Sequence, residues 1–139
     1  MKLKKKELLI VLVVIIVAVP VLQNLVVKKQ SEASRLLLFF PPTMTVGVPA
    51  IFVVDAVNDD RQIDTSRDDL TNISVSTSGV VVGTSGVSQA LWSQTAKVRL
   101  AEGKASFMVV VERRGTFIIS ANWIEGRSRL ESDAHFLWY

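Results

Sequence analysis

A period-two alternation of apolar and polar residues recurs along the second half of the chain and limits its possible folds more than any other feature. In residues 116–123, Phe117, Ile119, Ala121 and Trp123 share one face. Residues 127–138 alternate most regularly, and this pattern predicts that Phe136 and Trp138 point inward while His135 lies on a solvated, charged face. Successive side chains of a strand point to opposite faces, whereas a helix would scatter them around its axis. The alternation therefore predicts β-strands.

Turn residues separate these runs at short intervals. Strands are predicted over residues 50–57, 105–111, 116–123 and 127–138, with weaker ones over 70–76 and 95–100. The Ser/Thr/Gly-rich segment between the weaker strands is predicted to hold one edge strand, 80–82, and otherwise loop. Glu112, Arg113 and Arg114 are interpreted as a solvated turn. Short strands with frequent turns are typical of an antiparallel β-sandwich, so the predicted fold class is all-β and immunoglobulin-like.

Charge and composition exclude several function classes. Residues 1–39 hold seven Lys/Arg and two acidic residues, whereas residues 40–139 hold nine and eleven. The basic charge thus belongs to the N-terminal tail, which argues against a nucleic-acid partner for the rest. The chain has no cysteine, which excludes disulfides, thiolate zinc sites and cysteine nucleophiles. The 139 residues suffice for one ordinary domain.

Residues 8–27 are free of charge and follow a lysine-rich start. Twenty helical residues span about 30 Å, the thickness of a bilayer core. Residues 1–27 are therefore predicted to form a cytoplasmic basic tail and a single membrane anchor in the lipid bilayer, followed by a linker over 28–35 and an extracytoplasmic sandwich over 36–139. A cleaved secretory signal is the alternative. A type IV pilin-like leader fits less well, because no Gly or Ala precedes the apolar run at a processing position.

The short apolar run over residues 36–40 ends at Pro41 and Pro42. It cannot span a bilayer, and it is interpreted as a first strand that stops at the prolines. An interfacial or partner-binding segment is the alternative interpretation.

Three segments together resemble the prokaryotic immunoglobulin-like domains of surface proteins, the invasin/intimin type in particular. They read PPTMTVGVPAIFVVDAVNDD, AEGKASFMVVVERRGTFIISANW and GRSRLESDAHF. The second resembles the most characteristic half of that repeat, in which Gly103 and Gly115 each precede an alternating strand. The resemblance covers about residues 36–139. It implies adhesion, spacing or assembly, and it offers no catalytic residue and no cofactor.

Few residues suggest a site. Asp55, Asp59 and Asp60 belong to an acid-rich stretch that could supply oxygen ligands to calcium, although solvated loop charge is the alternative. Asn72 begins an N-glycosylation sequon. Trp92 lies in the irregular middle and is the aromatic residue chosen as a partner contact. His135 is the single histidine, so it cannot build a histidine-based zinc site.

These observations predict a membrane-anchored, extracytoplasmic structural, adhesion or accessory module without catalytic activity. Its expected partner is a protein at the cell surface or in a membrane complex. The alternative is a subunit of a surface filament or pilus, assembled by strand exchange through residues 36–40 or through the last strand.

Overall fold

Eight β-strands and one short 3₁₀ helix make up residues 31–139, the part of the chain that the computed structural model describes. The helix covers Gln89–Leu91. The strands are β1 Arg35–Phe39, β2 Ala50–Val57, β3 Leu70–Val75, β4 Val80–Gly83, β5 Thr95–Arg99, β6 Lys104–Val111, β7 Thr116–Glu125 and β8 Asp133–Trp138. A strand is present in every predicted region, but the one predicted over residues 127–138 begins only at Asp133. The irregular middle holds both β4 and the helix.

The strands form two four-stranded antiparallel sheets, in the orders β1-β2-β6-β4 and β5-β3-β7-β8. Phe52 of β2 pairs with Phe107 of β6 in the first sheet, and Ile73 of β3 pairs with Ala121 of β7 in the second. Side chains from both sheets share one hydrophobic core. The all-β, sandwich-type prediction is therefore confirmed.

The core follows the alternation read from β2, β6 and β7. Phe52, Phe107 and Ile119 are almost completely buried, and the rings of Phe52 and Phe107 lie 5.8 Å apart between centroids. Burying one such side chain contributes roughly 1.5–3 kcal/mol, which is why inward positions tolerate few polar residues. The register of both sheets is consequently fixed by packing.

The last strand departs from its predicted orientation. Phe136 and Trp138 are 73% and 74% exposed, whereas Leu137 is buried, so the predicted inward positions of Phe136 and Trp138 are both wrong. Leu130 is also buried, and it lies seven residues before Leu137. An odd spacing cannot keep two residues on one face of a continuous strand. The predicted strand is instead interrupted between residues 127 and 132. The chain then enters β8 with the opposite alternation of inward and outward side chains.

A buried ion pair joins the β2–β3 connection to the segment before β8. The Arg67 guanidinium donates from Nε and Nη2 to the two carboxylate oxygens of Asp69, at 2.8 and 2.7 Å. It also donates to the Ser128 hydroxyl at 2.7 Å, and the Trp123 indole donates to Asp69 at 2.8 Å. The network is satisfied on all sides, which offsets the cost of removing two charges from water.

The predicted anchor, residues 8–27, lies outside the described residues. Within residues 31–139, no helix has both the length and the apolar character needed to cross a membrane.

Candidate functional site

Three chain segments meet at one end of the sandwich. They are the β3–β4 turn, the β6–β7 turn and Tyr139, which directly follows β8. The Glu112 amide donates to the Gly79 carbonyl at 2.7 Å. Gly115 and Tyr139 exchange two backbone hydrogen bonds, of 2.9 and 3.1 Å. The backbone at this end is therefore held by contacts between distant parts of the chain.

Local backbone geometry places the Arg113 side chain. Gly79 has a φ of +94°, a conformation that residues with a Cβ rarely adopt. A Cβ added there would lie 3.2 Å from Nε of Arg113, which shows that the guanidinium rests against the glycine backbone. The β3–β4 turn thus provides the surface on which Arg113 lies.

A cleft of about 240 Å³ opens between the two turns. Arg113 and Arg114 line it from the β6–β7 turn, together with the hydroxyl residues Thr77, Ser78 and Thr116. Its floor is apolar and is formed by the buried residues Val80 and Phe117. We call this cavity, defined by these seven residues and Gly115, the arginine cleft.

The arginine cleft concentrates positive charge. No acidic residue lines it. Neither Arg113 nor Arg114 makes an ion pair or a side-chain hydrogen bond with any residue from 31 to 139. By contrast, four other arginines pair with carboxylates: Arg35, Arg67, Arg99 and Arg127. A guanidinium stays charged at physiological pH and presents a planar set of donors that matches carboxylate, sulfate or phosphate oxygens. The cleft therefore has the chemistry of an anion-binding site.

The hydroxyl groups of the arginine cleft have different surroundings. Thr77 Oγ1 donates to the Thr116 carbonyl at 3.4 Å and lies 3.5 Å from the Ser76 hydroxyl, which leaves at least one of its lone pairs to accept a hydrogen bond. Among the described residues, the exposed Ser78 hydroxyl has no hydrogen-bond partner. A ligand with both anionic and hydroxyl groups could engage the arginines and these side chains together.

The three aspartates proposed as calcium ligands occupy different environments. Asp55 lies mid-strand in β2, where burial raises the pKa of its carboxyl despite the nearby Lys104. Asp59 accepts hydrogen bonds from Ser34 and Arg35, which lower its pKa, while Asp60 is exposed in the turn. No group of three or more potential metal-ligating side chains occurs within residues 31–139.

The other predicted site residues are placed as follows. Asn72 lies in β3 between Lys97 of β5 and Asn122 of β7, and its glycosylation stays a prediction. Trp92 lies directly over Gly83, where a Cβ would collide with the indole, and its Nε1 donates to the Val87 carbonyl at 3.1 Å. The Trp92 ring therefore contacts the end of β4 as well as its own loop.

His135 is a part of the contact between the two sheets. Its Nε2 lies 2.8 Å from Asp133 Oδ2, the same oxygen that accepts the Leu38 amide at 2.7 Å. The Phe40 ring meets the imidazole edge-on, with centroids 5.0 Å apart. The histidine thus helps to fasten β1 against β8, a role that the alternation pattern did not indicate.

Sequence reasoning missed the arginine cleft. The sequence pattern predicts a solvated turn at Arg113 and Arg114 and, separately, an irregular Ser/Thr/Gly segment that begins at Thr77. A signal was nevertheless present, because Arg113 and Arg114 are adjacent arginines with one acidic neighbour, Glu112. The missing information was that the β3–β4 turn lies beside them.

No protein-family model matches the chain, and no curated protein matches it. Solved structures with a similar fold include the beta-glucuronidase of Parabacteroides merdae, which is 14% identical and matches 80% of this chain with a TM-score of 0.58. A glycosyl hydrolase family 2 member from Bacteroides cellulosilyticus is also 14% identical and matches 78% of this chain with a TM-score of 0.57. The chain spans only 13% and 14% of the length of these two enzymes.

These matches support the immunoglobulin-like sandwich and correct the predicted function. The sequence predicted a surface adhesion or structural module, or a filament subunit, by its resemblance to domains of the invasin/intimin type. The two solved proteins named above are glycoside hydrolases instead, so that prediction was wrong. The error has a physical reason: alternation and turn glycines record the packing of two sheets, which domains of unrelated function share.

Proposed function

We propose that residues 31–139 form a non-catalytic accessory domain that binds an anionic ligand in the arginine cleft. The observation that carries the proposal is the pair of guanidinium groups, Arg113 and Arg114, that face a cavity with no acidic side chain. The backbone bonds between Glu112 and Gly79 and between Gly115 and Tyr139 hold both turns in place before the ligand arrives. Such preorganisation reduces the entropy cost of binding.

The same cleft argues for binding without catalysis. Glycoside hydrolysis generally needs two carboxyl groups that flank the scissile bond, about 5–9.5 Å apart. The arginine cleft contains none. The likeness to a small part of much larger glycoside hydrolases also supports an accessory role, because a segment of that size is too short to contain a whole enzyme of that kind.

Inorganic sulfate is the simplest probe of this proposal. Hydrogen bonds to charged groups contribute about 1.5–3 kcal/mol each, so two guanidinium contacts predict a dissociation constant between roughly 0.04 and 6 mM. Isothermal titration calorimetry on the full chain, held in a polyoxyethylene detergent that carries neither charge nor sugar, would measure it. Chloride at equal ionic strength controls for screening.

The variant Arg113→Gln/Arg114→Gln should remove saturable sulfate binding. The single variants Arg113→Gln and Arg114→Gln are each compared with Arg129→Gln, which also removes one charge. Arg129 is a matched control because it is also exposed and makes no ion pair within residues 31–139. Equal loss of sulfate affinity in Arg129→Gln would mean that general charge attracts the anion, and the proposal would fail. Saturable binding that survives the double change would also contradict it.

We also propose that residues 8–27 anchor the chain in a bilayer and that the sandwich lies on the extracytoplasmic side. The proposal rests on the uncharged length of that segment and its flanking lysines. Closer kinship to the invasin/intimin type is likewise a proposal, resting on the turn glycines Gly103 and Gly115 and the strands after them. Release of the full chain from native membranes by alkaline carbonate would contradict the anchor.

A further inference from the structure

Two aromatic side chains project from the last strand beside the arginine cleft. Phe136 and Trp138 are 73% and 74% exposed and lie on the same outward face of β8. Residues two apart in a strand are about 6.5–7 Å apart along it. The two rings and Ile118, which pairs with Phe136 and is 44% exposed, therefore form one apolar strip. We call Ile118, Phe136 and Trp138 the aromatic strip.

The aromatic strip is continuous with the arginine cleft. Trp138 pairs with Thr116, and Thr116 lines the cleft. Directly paired side chains in an antiparallel sheet have Cβ atoms about 4.5–5.5 Å apart. A ligand a few ångströms wide could therefore contact the Trp138 ring and the hydroxyl edge of the cleft at the same time.

Polar side chains follow the aromatic strip across the same sheet. Ala134 of β8 pairs with Ser120, and Ser120 pairs with Ser74. The two serine hydroxyls are 2.7 Å apart, and the Asn122 amide donates to Ser120 at 3.2 Å. This row is half-buried and uncharged, and its hydroxyl and amide groups can donate to or accept from a hydroxyl-rich ligand.

The size of the aromatic strip distinguishes between kinds of partner. An aromatic side chain offers about 150–250 Å² of surface, so Phe136 and Trp138 together expose roughly 300 Å². A stable protein interface needs about 800 Å² on each side. The strip is thus small for a protein partner, yet it is large enough to cover the face of one or two sugar rings.

Charge distinguishes saccharides from nucleic acids. A single-stranded nucleic acid carries one phosphate per nucleotide and is normally held in a basic groove that follows its backbone. Residues 40–139 have more acidic than basic residues, and the two cleft arginines form one local positive site. One local site suits a ligand that places one of its anionic groups beside a flat C–H face and several hydroxyls.

Resting on the proposed anion-binding function, we infer that the ligand is an acidic oligosaccharide whose carboxylate or sulfate group binds Arg113 and Arg114. One sugar ring stacks on Trp138, and the neighbouring ring reaches Phe136. Ring hydroxyls face Thr116 and Ser78. The site thus combines the arginine cleft with the aromatic strip, and the aromatic residues select saccharides over simple anions.

Titration calorimetry on the full chain in polyoxyethylene detergent tests this inference with four probes. They are tetragalacturonate, which carries carboxylates, a heparin-derived tetrasaccharide, which adds sulfates, neutral cellotetraose, and inorganic sulfate. We expect one of the acidic tetrasaccharides to bind at least about tenfold more tightly than cellotetraose and than inorganic sulfate. The comparison of the two acidic probes identifies which anionic group is recognised.

Variants then separate stacking from charge. Trp138→Ala should weaken tetrasaccharide binding by about tenfold or more and leave sulfate binding unchanged, whereas Trp138→Tyr should restore most of the affinity. Phe39→Ala is the matched control, because Phe39 is 51% exposed on the other sheet. Thermal unfolding of each variant would show that the fold is retained.

The outcomes distinguish this inference from the proposed function. Arginine-dependent sulfate binding with no gain from a sugar chain, or with no effect of Trp138→Ala, would overturn the saccharide and leave the anion site standing. If the unmodified chain binds neither sulfate nor any tetrasaccharide, the saccharide inference and the anion-binding proposal are both overturned. Preference for an oligothymidylate, or self-association that Trp138→Ala abolishes without saccharide binding, would also overturn the saccharide.

Discussion

The buried Arg67–Asp69 pair offers the sharpest test of how this sandwich is stabilised. The side chains are 0% and 1% exposed, so water cannot replace a lost partner. Asp69→Asn removes the negative charge and keeps the shape, which leaves the Arg67 guanidinium charged and without a counterion. Breaking such a buried pair from one side costs about 3–5 kcal/mol.

That loss is large beside the stability of the domain. A folded unit of this size is stabilised by about 5–15 kcal/mol in total, and each kcal/mol lowers the melting temperature by roughly 4 °C. Asp69→Asn should therefore lower the melting temperature by about 12–20 °C. Circular dichroism of the β-sheet signal during heating, with the full chain in detergent, measures it.

Two further variants test the physical reason for the loss. Arg67→Met/Asp69→Asn removes both charges and leaves an acceptor for the Trp123 indole, so most of the lost stability should return. Glu125→Gln breaks the surface pair between Glu125 and Arg99, which are 64% and 58% exposed. This change should cost at most about 1 kcal/mol of stability. A double variant as unstable as the sum of its single changes would refute the reasoning.

Three other changes should alter stability in defined directions. Burial raises the pKa of Asp55, so ionisation of this carboxyl destabilises the fold as the pH rises from 3.8 through its raised pKa. Asp55→Asn should therefore raise the melting temperature near pH 7. An unchanged melting temperature would contradict this explanation. Burial opposes ionisation of Asp64, but hydrogen bonds from Ser66 and Ala33 hold its pKa below 3.8. The stability that Asp64 contributes is therefore present above 3.8 and lost as the pH falls through its lowered pKa, and Asp64→Asn should flatten the acid limb of a melting-temperature profile. Gly83→Ala would place a methyl group into the Trp92 ring, and it should cost about 1–3 kcal/mol and change the tryptophan fluorescence of the native state.

The strands could be predicted from sequence because the alternation that marks a strand involves only residues adjacent in the chain. Alternation and burial coincide in β7 up to Ala121 and in the first part of β6, so residues such as Phe107 and Ile119 could be placed inward from sequence alone. The phase of β8 could not be read in this way. Its inward residue is set by how the chain leaves the Ser128–Arg67 contact, and that contact joins residues 61 positions apart.

The arginine cleft was hidden for the same reason. Arg113 and Thr77 are both turn residues with no pattern of their own, and they meet only because β3 and β7 pair while β4 and β6 pair. Turn residues contribute little to the register, which buried strand residues determine. Their side chains can consequently be selected for ligand chemistry at small cost in stability.

This separation gives the two ends of the sandwich different physical roles. Charged groups that stabilise the fold are buried and satisfied by one another, as Arg67 and Asp69 are at the base of β3. Arg113 and Arg114, at the opposite end of that strand, are exposed and have no counterion within residues 31–139. An unpaired surface arginine gains little for folding, because water solvates its charge well. The proposed site would gain binding free energy when a ligand supplies the anion, and we expect the exposed rings of Phe136 and Trp138 to favour anions that carry a sugar ring.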